Sequence, residues 1–236
     1  MEHGDYILPE NVPANEFMNL EGEKISTSRN WAVWLHEYLN DFPNMQDELR
    51  YCLITNLPEN KDSDFSWKDF QQKNNNELVA ILGNYINRVF VLCDKFFDKK
   101  VPKPLDDNVD NEIFSELDEL KGKVELSIQN FKFREAMSYV IDVARLGNKY
   151  LTDTEPWKIF EENPERVKDI IYKSVQIVAN ISILCEPFIP FTSKKIKELL
   201  NISDIHWSNA SSSIVNAGHE ISGCLLYTSD AADDAT

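Results

Sequence analysis

One long amphipathic run constrains the fold more than any other feature of this sequence. Between Ser66 and Phe97, apolar side chains return every three or four positions, which is the spacing of one face of an α-helix. A helix of this kind buries its apolar stripe against other elements, so it indicates a larger packed unit. The stripe consists of Leu78, Leu82, Tyr85, Ile86, Val89, Cys93 and Phe96.

Helical spacing recurs on both sides of this run. One helix is predicted from Asn30 to just before Pro43, and a second ends at Pro58. Only seven glycines are present, which also favours helices, and we predict a mainly α fold, an antiparallel helical bundle with short loops. Residues 1 to about 30 are expected to be extended or irregular, with a short strand before Lys24, and residues 59–67 to be a polar connector. Later helices are predicted at about 110–129, 131–150, 164–185 and 191–200.

The charge and the cysteines exclude several classes of function. A net charge of −16 argues against general nucleic-acid binding, so any such function must depend on a few locally placed groups. No pair of cysteines has CxxC spacing and no histidine lies nearby, which predicts a reducing, cytoplasmic location and no metal site. No apolar run is long enough to predict a membrane span. The four cysteines are Cys52, Cys93, Cys185 and Cys224.

The segment "EGEKISTSRN" is a candidate phosphate-binding loop. Lys24 and Arg29 supply positive charge, and Ser26 and Ser28 supply hydroxyl groups that can donate to phosphate oxygens. The helix predicted to begin near Asn30 would add a helix N-terminus, which favours anions. A solvated linker remains the simpler alternative for these residue types.

Two further groups of residues are candidates for contacts with RNA bases. Asn84 and Arg88 are four positions apart, so they share a helix face, and that face points away from the apolar stripe. Pro156 suits the first turn of a helix, with Thr154 as its cap, and the following Trp157 could stack on an unpaired base. The alternatives are an ordinary solvated face and a core tryptophan.

Four segments together resemble the methionyl-tRNA synthetase family of class I aminoacyl-tRNA synthetases, in the family's order along residues 1 to about 205. The first, "LEGEKISTSRNWAVWL", is similar to the end of the catalytic domain with its Lys-Met-Ser-Lys-Ser loop. The second, "LRYCLITNLPENKDSDFSWKDFQQKNNNELVAILGNYINR", is similar to the segment that leads into the anticodon-binding domain. The last two, "GNKYLTDTEPW" and "CEPFIPFTSKKIKELL", are similar to later motifs of that domain.

The resemblance implies that the loop closes over ATP, with its bound Mg²⁺, and stabilises pyrophosphate while methionine is activated. Threonine stands where the family has its second lysine, and Arg29 is a candidate to supply the missing charge. The implied catalytic residues are Lys24, Ser26, Ser28 and Arg29, and the implied ATP-binding residues are Lys24, Ile25, Ser26, Thr27 and Ser28.

The resemblance also implies that methionine tRNA is the partner and that Asn84, Arg88 and Trp157 read its anticodon, with Pro156 beside them and Asn148 orienting the loop. The family's upstream ATP signature, methionine pocket and zinc-binding insertion match nothing in this sequence. We therefore expect a fragment that does not charge tRNA by itself and binds no cofactor alone, from a protein that uses ATP and methionine.

The predicted organisation has four parts. Residues 1–73 are expected to be the end of an α/β catalytic domain, 74–205 the helical anticodon-binding domain, and 206–223 irregular. Residues 224–236 resemble the translation of a sequencing adaptor read through at the end of an incomplete gene. Two alternatives stay open: the anticodon domain of another class I synthetase (for leucine, isoleucine, valine or cysteine), and a helical interaction module with no RNA role.

Overall fold

The structure, a computed structural model, describes residues 7–105, 112–210 and 213–222. The adaptor-like segment 224–236 and Cys224 lie outside the described residues. A 3₁₀ turn covers Thr27–Arg29 and another covers Trp207–Asn209, and a π-helical segment covers Asn74–Gly83. The strands are β1 (Met18–Leu20), β2 (Glu23–Lys24) and β3 (Ser63–Phe65), and the α-helices are α1 (Leu35–Asp41), α2 (Gln46–Thr55), α3 (Trp67–Lys73), α4 (Asn84–Phe97), α5 (Glu112–Gln129), α6 (Phe133–Thr154), α7 (Pro156–Ile159), α8 (Pro164–Leu184) and α9 (Pro190–Leu199).

A small sheet organises the N-terminal part of the chain. β1 lies in the middle, antiparallel to β2 and parallel to β3. The expectation of a polar connector at 59–67 was therefore wrong, because residues 63–65 form a strand that buries Phe65 beside Leu20. Two aspartates of this segment also accept backbone N–H groups: Asp62 from Phe17 at 3.0 Å and Asp64 from Gly22 at 2.8 Å.

The helix expected from Asn30 begins five residues later, at Leu35. Asn30 ends the preceding 3₁₀ turn in the left-handed conformation, with φ of 52°. Trp31 then pairs with Ser26 in an isolated bridge through two backbone hydrogen bonds of 2.9 Å. The candidate phosphate loop is therefore followed by an extended segment, and the predicted contribution of a helix N-terminus to anion binding was wrong.

A helical bundle forms the rest of the described chain, as the apolar spacing predicts. The segments α3, Asn74–Gly83 and α4 follow one another without a break, and Ser66 caps the start by accepting the Asp69 N–H at 3.1 Å. The predicted stripe is buried along most of its length. α8 lies in the centre, buried on nearly all sides, and packs against α4, α6 and α9. No helix in the described ranges is both long and apolar enough to cross a membrane.

The two parts of the molecule are joined through α2. Arg50 donates to the carbonyl oxygens of Phe188 at 2.7 Å and Pro187 at 3.2 Å, in the turn before α9. Asp47 accepts the Thr192 N–H at 2.5 Å, in the first turn of α9. Helix α2 thereby fixes the small sheet, and the loop it carries, on the bundle.

Residues 213–222 lack regular secondary structure, but they pack on the bundle. The buried amide of Gln176 accepts the N–H groups of Ile214 at 2.7 Å and Val215 at 2.9 Å, and donates to the Val215 carbonyl at 2.8 Å. Ile221 is buried and bonds the Lys99 carbonyl. The segment thus contacts the middle of α8, the residues just after α4 and the end of α9.

Candidate functional site

Arg88 lies at the centre of a cluster that unites three separate segments. Its Nη1 donates to Oδ1 of Asn148 on α6 at 3.2 Å, across a sequence separation of 60 residues. Its guanidinium carbon lies 5.4 Å from the centre of the Trp157 ring, within the range of a cation–π contact. The structure therefore brings Arg88, Asn148 and Trp157 together, as the sequence comparison anticipates for a shared site.

Asn148 is held by two backbone carbonyls, one on the neighbouring helical run and one on its own helix α6. Its Nδ2 donates to the carbonyl oxygens of Ile81 at 3.0 Å and Ala144 at 3.1 Å. Because the amide nitrogen is fully used, the amide oxygen must face Arg88. The Ile81 carbonyl belongs to the π-helical segment Asn74–Gly83, and wide turns of this kind often occur at functional sites. Asn148 therefore orients Arg88 as well as contacting it.

Trp157 is presented by a sharp change of direction between α6 and α7. Glu155 joins the two helices in the left-handed conformation, with φ of 41°, and Pro156 follows as the buried first residue of α7. Thr154 does not cap α7, contrary to the prediction, because its hydroxyl belongs to the last turn of α6 and donates to the Tyr150 carbonyl at 2.7 Å. The Trp157 side chain remains 39% exposed, so part of its ring surface is open to a ligand.

Asn84 lies at the start of α4, one helical turn before Arg88. It is exposed, whereas its neighbour Tyr85 is fully buried. Within the described parts of the chain, the Asn84 amide makes no side-chain hydrogen bond. Its donor and acceptor are thus available on the same face that carries Arg88.

The candidate phosphate loop forms a compact turn at the edge of the small sheet. Lys24 ends β2, and the guanidinium of Arg29 returns to donate to the Lys24 carbonyl at 3.4 Å. The hydroxyl groups of Ser26 and Ser28 lie 3.2 Å apart. Ile25 is 41% exposed, and Thr27 begins the 3₁₀ turn. Two cationic side chains and two hydroxyls therefore share one short, exposed turn.

Metal binding and thiol chemistry are the two other functions to consider for the described residues. Within 7–105, 112–210 and 213–222, no three His, Cys, Asp or Glu side chains lie close enough together to hold a metal ion. Burial raises the pKa of Cys52 to about 11 and of Cys93 to about 12. Both thiols therefore stay protonated at neutral pH and are poor nucleophiles.

Two family models match the chain, and together they cover most of it. The model described as tRNA synthetases class I (M) matches residues 1–90. The model described as the anticodon binding domain of methionyl tRNA ligase matches residues 103–225, which is more than half of the sequence. The chain belongs to the methionyl-tRNA ligase family. This match favours the methionine family over the leucine, isoleucine, valine and cysteine enzymes and over an unrelated helical module.

Curated relatives of the methionyl-tRNA ligase family are closely similar in sequence. The methionine–tRNA ligase of Cytophaga hutchinsonii is 55% identical over 236 residues, which cover 99% of this chain and 34% of the relative. That of Flavobacterium johnsoniae is 56% identical over 203 residues, covering 86% of this chain and 29% of the relative. The chain thus spans about a third of the length of these relatives.

Solved structures of the family share the fold. A Mycobacterium tuberculosis methionyl-tRNA synthetase bound by methionyl-adenylate superposes with a TM-score of 0.78 at 20% identity. The match covers 89% of this chain and 43% of the other. The same protein in its free state gives a TM-score of 0.75 at 20% identity, over 91% of this chain and 42% of that one. These likenesses support the helical bundle and the small sheet as a family fold.

The sequence analysis did not predict the two backbone features of the candidate anticodon site. The Ile81 carbonyl, which accepts the Asn148 amide, belongs to a π-helical turn, and no residue pattern marks such a turn. The left-handed Glu155 was missed as well, since a glutamate gives no sign of positive φ. A helix ending directly before a proline was the available signal for a change of direction at that point.

Proposed function

We propose that this chain is the anticodon-recognition part of a methionine–tRNA ligase and carries, at its N-terminal end, the loop that contacts ATP. The observation that supports the proposal most directly is the cluster of Arg88, Asn148 and Trp157, with Asn84 on the same helix face. A helical interaction module with no RNA role predicts no such cluster of base-compatible side chains, and the match to the methionyl tRNA ligase anticodon domain disfavours the other class I enzymes.

The chemistry of the cluster suits unpaired bases. The open surface of Trp157 can stack on a base of any kind, whereas the Asn84 amide and the Arg88 guanidinium can hydrogen-bond to base edges. The Arg88 contacts fix the guanidinium in advance, which lowers the entropy cost of binding. Specific contacts with a few splayed bases require little positive charge, so an overall charge of −16 is compatible with this role.

We further propose that the turn from Lys24 to Arg29 approaches the phosphates of Mg²⁺-bound ATP in the whole protein. Lys24 supplies a mobile charge and the Ser26 and Ser28 hydroxyls supply donors. Arg29, folded against the Lys24 carbonyl, brings a second charge to a loop that has Thr27 in place of a lysine. In this proposal residues 1–73 complete the catalytic domain and residues 74–205 bind methionine tRNA. The whole protein is then a cytoplasmic enzyme that provides methionyl-tRNA for protein synthesis. Its activation of methionine, its charging of tRNA and any zinc site depend on segments outside this chain.

A binding assay with short RNA tests the anticodon proposal. The chain is titrated into a labelled stem-loop that carries the methionine anticodon, and into the same stem-loop with one anticodon base changed. We expect the first stem-loop to bind more tightly, by about 1–3 kcal/mol for the one base. Arg88→Gln is expected to remove most of this difference, because the amide cannot replace the guanidinium fork.

Arg134→Gln is the matched control. Arg134 is an exposed arginine at the start of α6, roughly 20 Å along that helix from Asn148. This variant loses the same charge from the protein but leaves the cluster intact, so it should keep the discrimination of the wild type. Equal binding of the two stem-loops by the wild type would refute the proposed function.

A further inference from the structure

The cluster depends on a very close approach of α4 and α6, and that approach occurs at Gly147. A Cβ atom placed on Gly147 would lie 2.1 Å from Cζ of Tyr85, 2.5 Å from Cε2 and 2.6 Å from Cε1. Gly147 directly precedes Asn148 on α6, and Tyr85 directly follows Asn84 on α4. The close approach of the Tyr85 ring to α6 therefore lies next to the residues proposed to read the anticodon.

The Tyr85 ring cannot move away to make room. It is completely buried, and its hydroxyl donates to the Ser174 carbonyl on α8 at 3.1 Å. The ring is thus held between α6 and α8, and an added methyl group would have to separate the helices. The required separation is about 1.3 Å, the difference between 2.1 Å and the 3.4 Å at which ordinary van der Waals contact begins.

A shift of this size is large for the neighbouring contacts. The hydrogen bond from Arg88 to Asn148 measures 3.2 Å, and the bond from Asn148 to the Ile81 carbonyl measures 3.0 Å. Both connect α6 to the continuous helical run that carries Tyr85, so separating the helices lengthens both beyond hydrogen-bonding distance. Arg88 would then lose the partner that orients it beside Trp157.

We infer that Gly147 and Tyr85 are a pair of positioning residues that set the spacing of α4 and α6, and through it the geometry of the anticodon-reading cluster. The inference rests on the proposed function, and neither residue touches the RNA in it. It predicts that size can be exchanged between the two positions: a larger residue at 147 is tolerated when the residue at 85 is smaller. Leucine at 85 removes the ring atoms that a Cβ on residue 147 would meet.

The test compares Gly147→Ala, Tyr85→Leu and the double variant in the stem-loop assay. Gly147→Ala is expected to weaken binding of the methionine anticodon about tenfold, the effect of one misplaced hydrogen bond to a charged group, and to reduce the preference over the changed anticodon. The double variant is expected to regain most of both. Gly122→Ala is the matched control, since a Cβ at Gly122 on α5 meets nothing within 4 Å. It should bind as the wild type does.

Unfolding by urea, measured on the same four variants, separates positioning from simple loss of stability. A purely structural contact predicts that Gly147→Ala is less stable while its folded fraction keeps wild-type affinity and preference, and this result would overturn the inference. Failure of the double variant to recover the preference would also overturn it. If the wild type itself shows no preference, the proposed function fails, and the functional part of the inference fails with it. Loss of preference in Gly147→Ala, with recovery in the double variant, supports both.

Discussion

Replacing Trp157 by alanine removes the aromatic surface at the centre of the proposed anticodon site. Stacking of one base on an aromatic side chain contributes about 1–3 kcal/mol. The cation–π contact with Arg88, at 5.4 Å, adds about 0.5–1 kcal/mol, because the guanidinium loses the ring that holds it. The two effects together predict a loss of about 1.5–4 kcal/mol, which is a weakening of affinity by roughly tenfold to nearly a thousandfold.

The assay is fluorescence anisotropy with the methionine anticodon stem-loop and its single-base variant, at one fixed salt concentration because phosphate contacts depend strongly on salt. Trp157→Ala is expected to weaken binding of both RNAs, and to abolish the preference between them because Arg88 loses the ring that orients it toward a base edge. Trp67→Ala is a suitable control, since Trp67 is also 39% exposed but packs on Phe65 and Phe70 beside the small sheet. Wild-type affinity and preference in Trp157→Ala would contradict the stacking role.

Three other perturbations test separate parts of the molecule. In the whole protein, Arg29→Ala is expected to slow methionine-dependent ATP–pyrophosphate exchange about tenfold to a hundredfold, while methionine affinity stays nearly constant. Unaltered exchange would show that Arg29 does not replace the charge of the lysine missing at Thr27. Glu155→Gly is expected to raise the free energy of unfolding by about 1 kcal/mol, since glycine adopts positive φ without strain, and a less stable variant in urea would contradict this. Burial raises the pKa of the Asp47 carboxyl group above that of an unfolded carboxyl group, which is about 3.9. The stability that Asp47 contributes is therefore greatest below about pH 3.9, and it falls as the pH rises through the folded pKa. Asp47→Asn, whose amide oxygen can still accept the Thr192 N–H, is expected to flatten the fall of unfolding free energy as the pH rises above about 4, and a curve parallel to the wild type would count against it.

Local patterns in the sequence were sufficient for much of the fold. The stripe from Leu78 to Val89 predicted a buried helix face, and that face is buried. Pro156 was predicted in the first turn of a helix, and it occupies the first position of α7. Such predictions succeed because helix periodicity and capping depend on residues within three or four positions of each other.

Predictions failed where the neighbour of a segment in space decided its structure. Residues 63–65 look polar along the chain, but pairing with β1 makes them a strand. Trp31 fits a helical pattern, yet its backbone pairs with Ser26 and its indole donates to the Leu20 carbonyl at 3.1 Å, so α1 begins later. In both places a contact with another strand outweighed the local preference.

The order of residues along the chain was enough to predict the side chains of the proposed anticodon site: an asparagine and an arginine one turn apart on a helix, and a tryptophan after a proline. Packing of the helices brings Arg88 to Asn148 and Trp157, the Ile81 carbonyl to the Asn148 amide, and the Tyr85 ring against Gly147. The difference arises from distance along the chain. Periodicity and capping act within a single turn of helix, whereas these contacts join residues about 60 positions or more apart and exist only once α4, α6 and α8 pack around a common core.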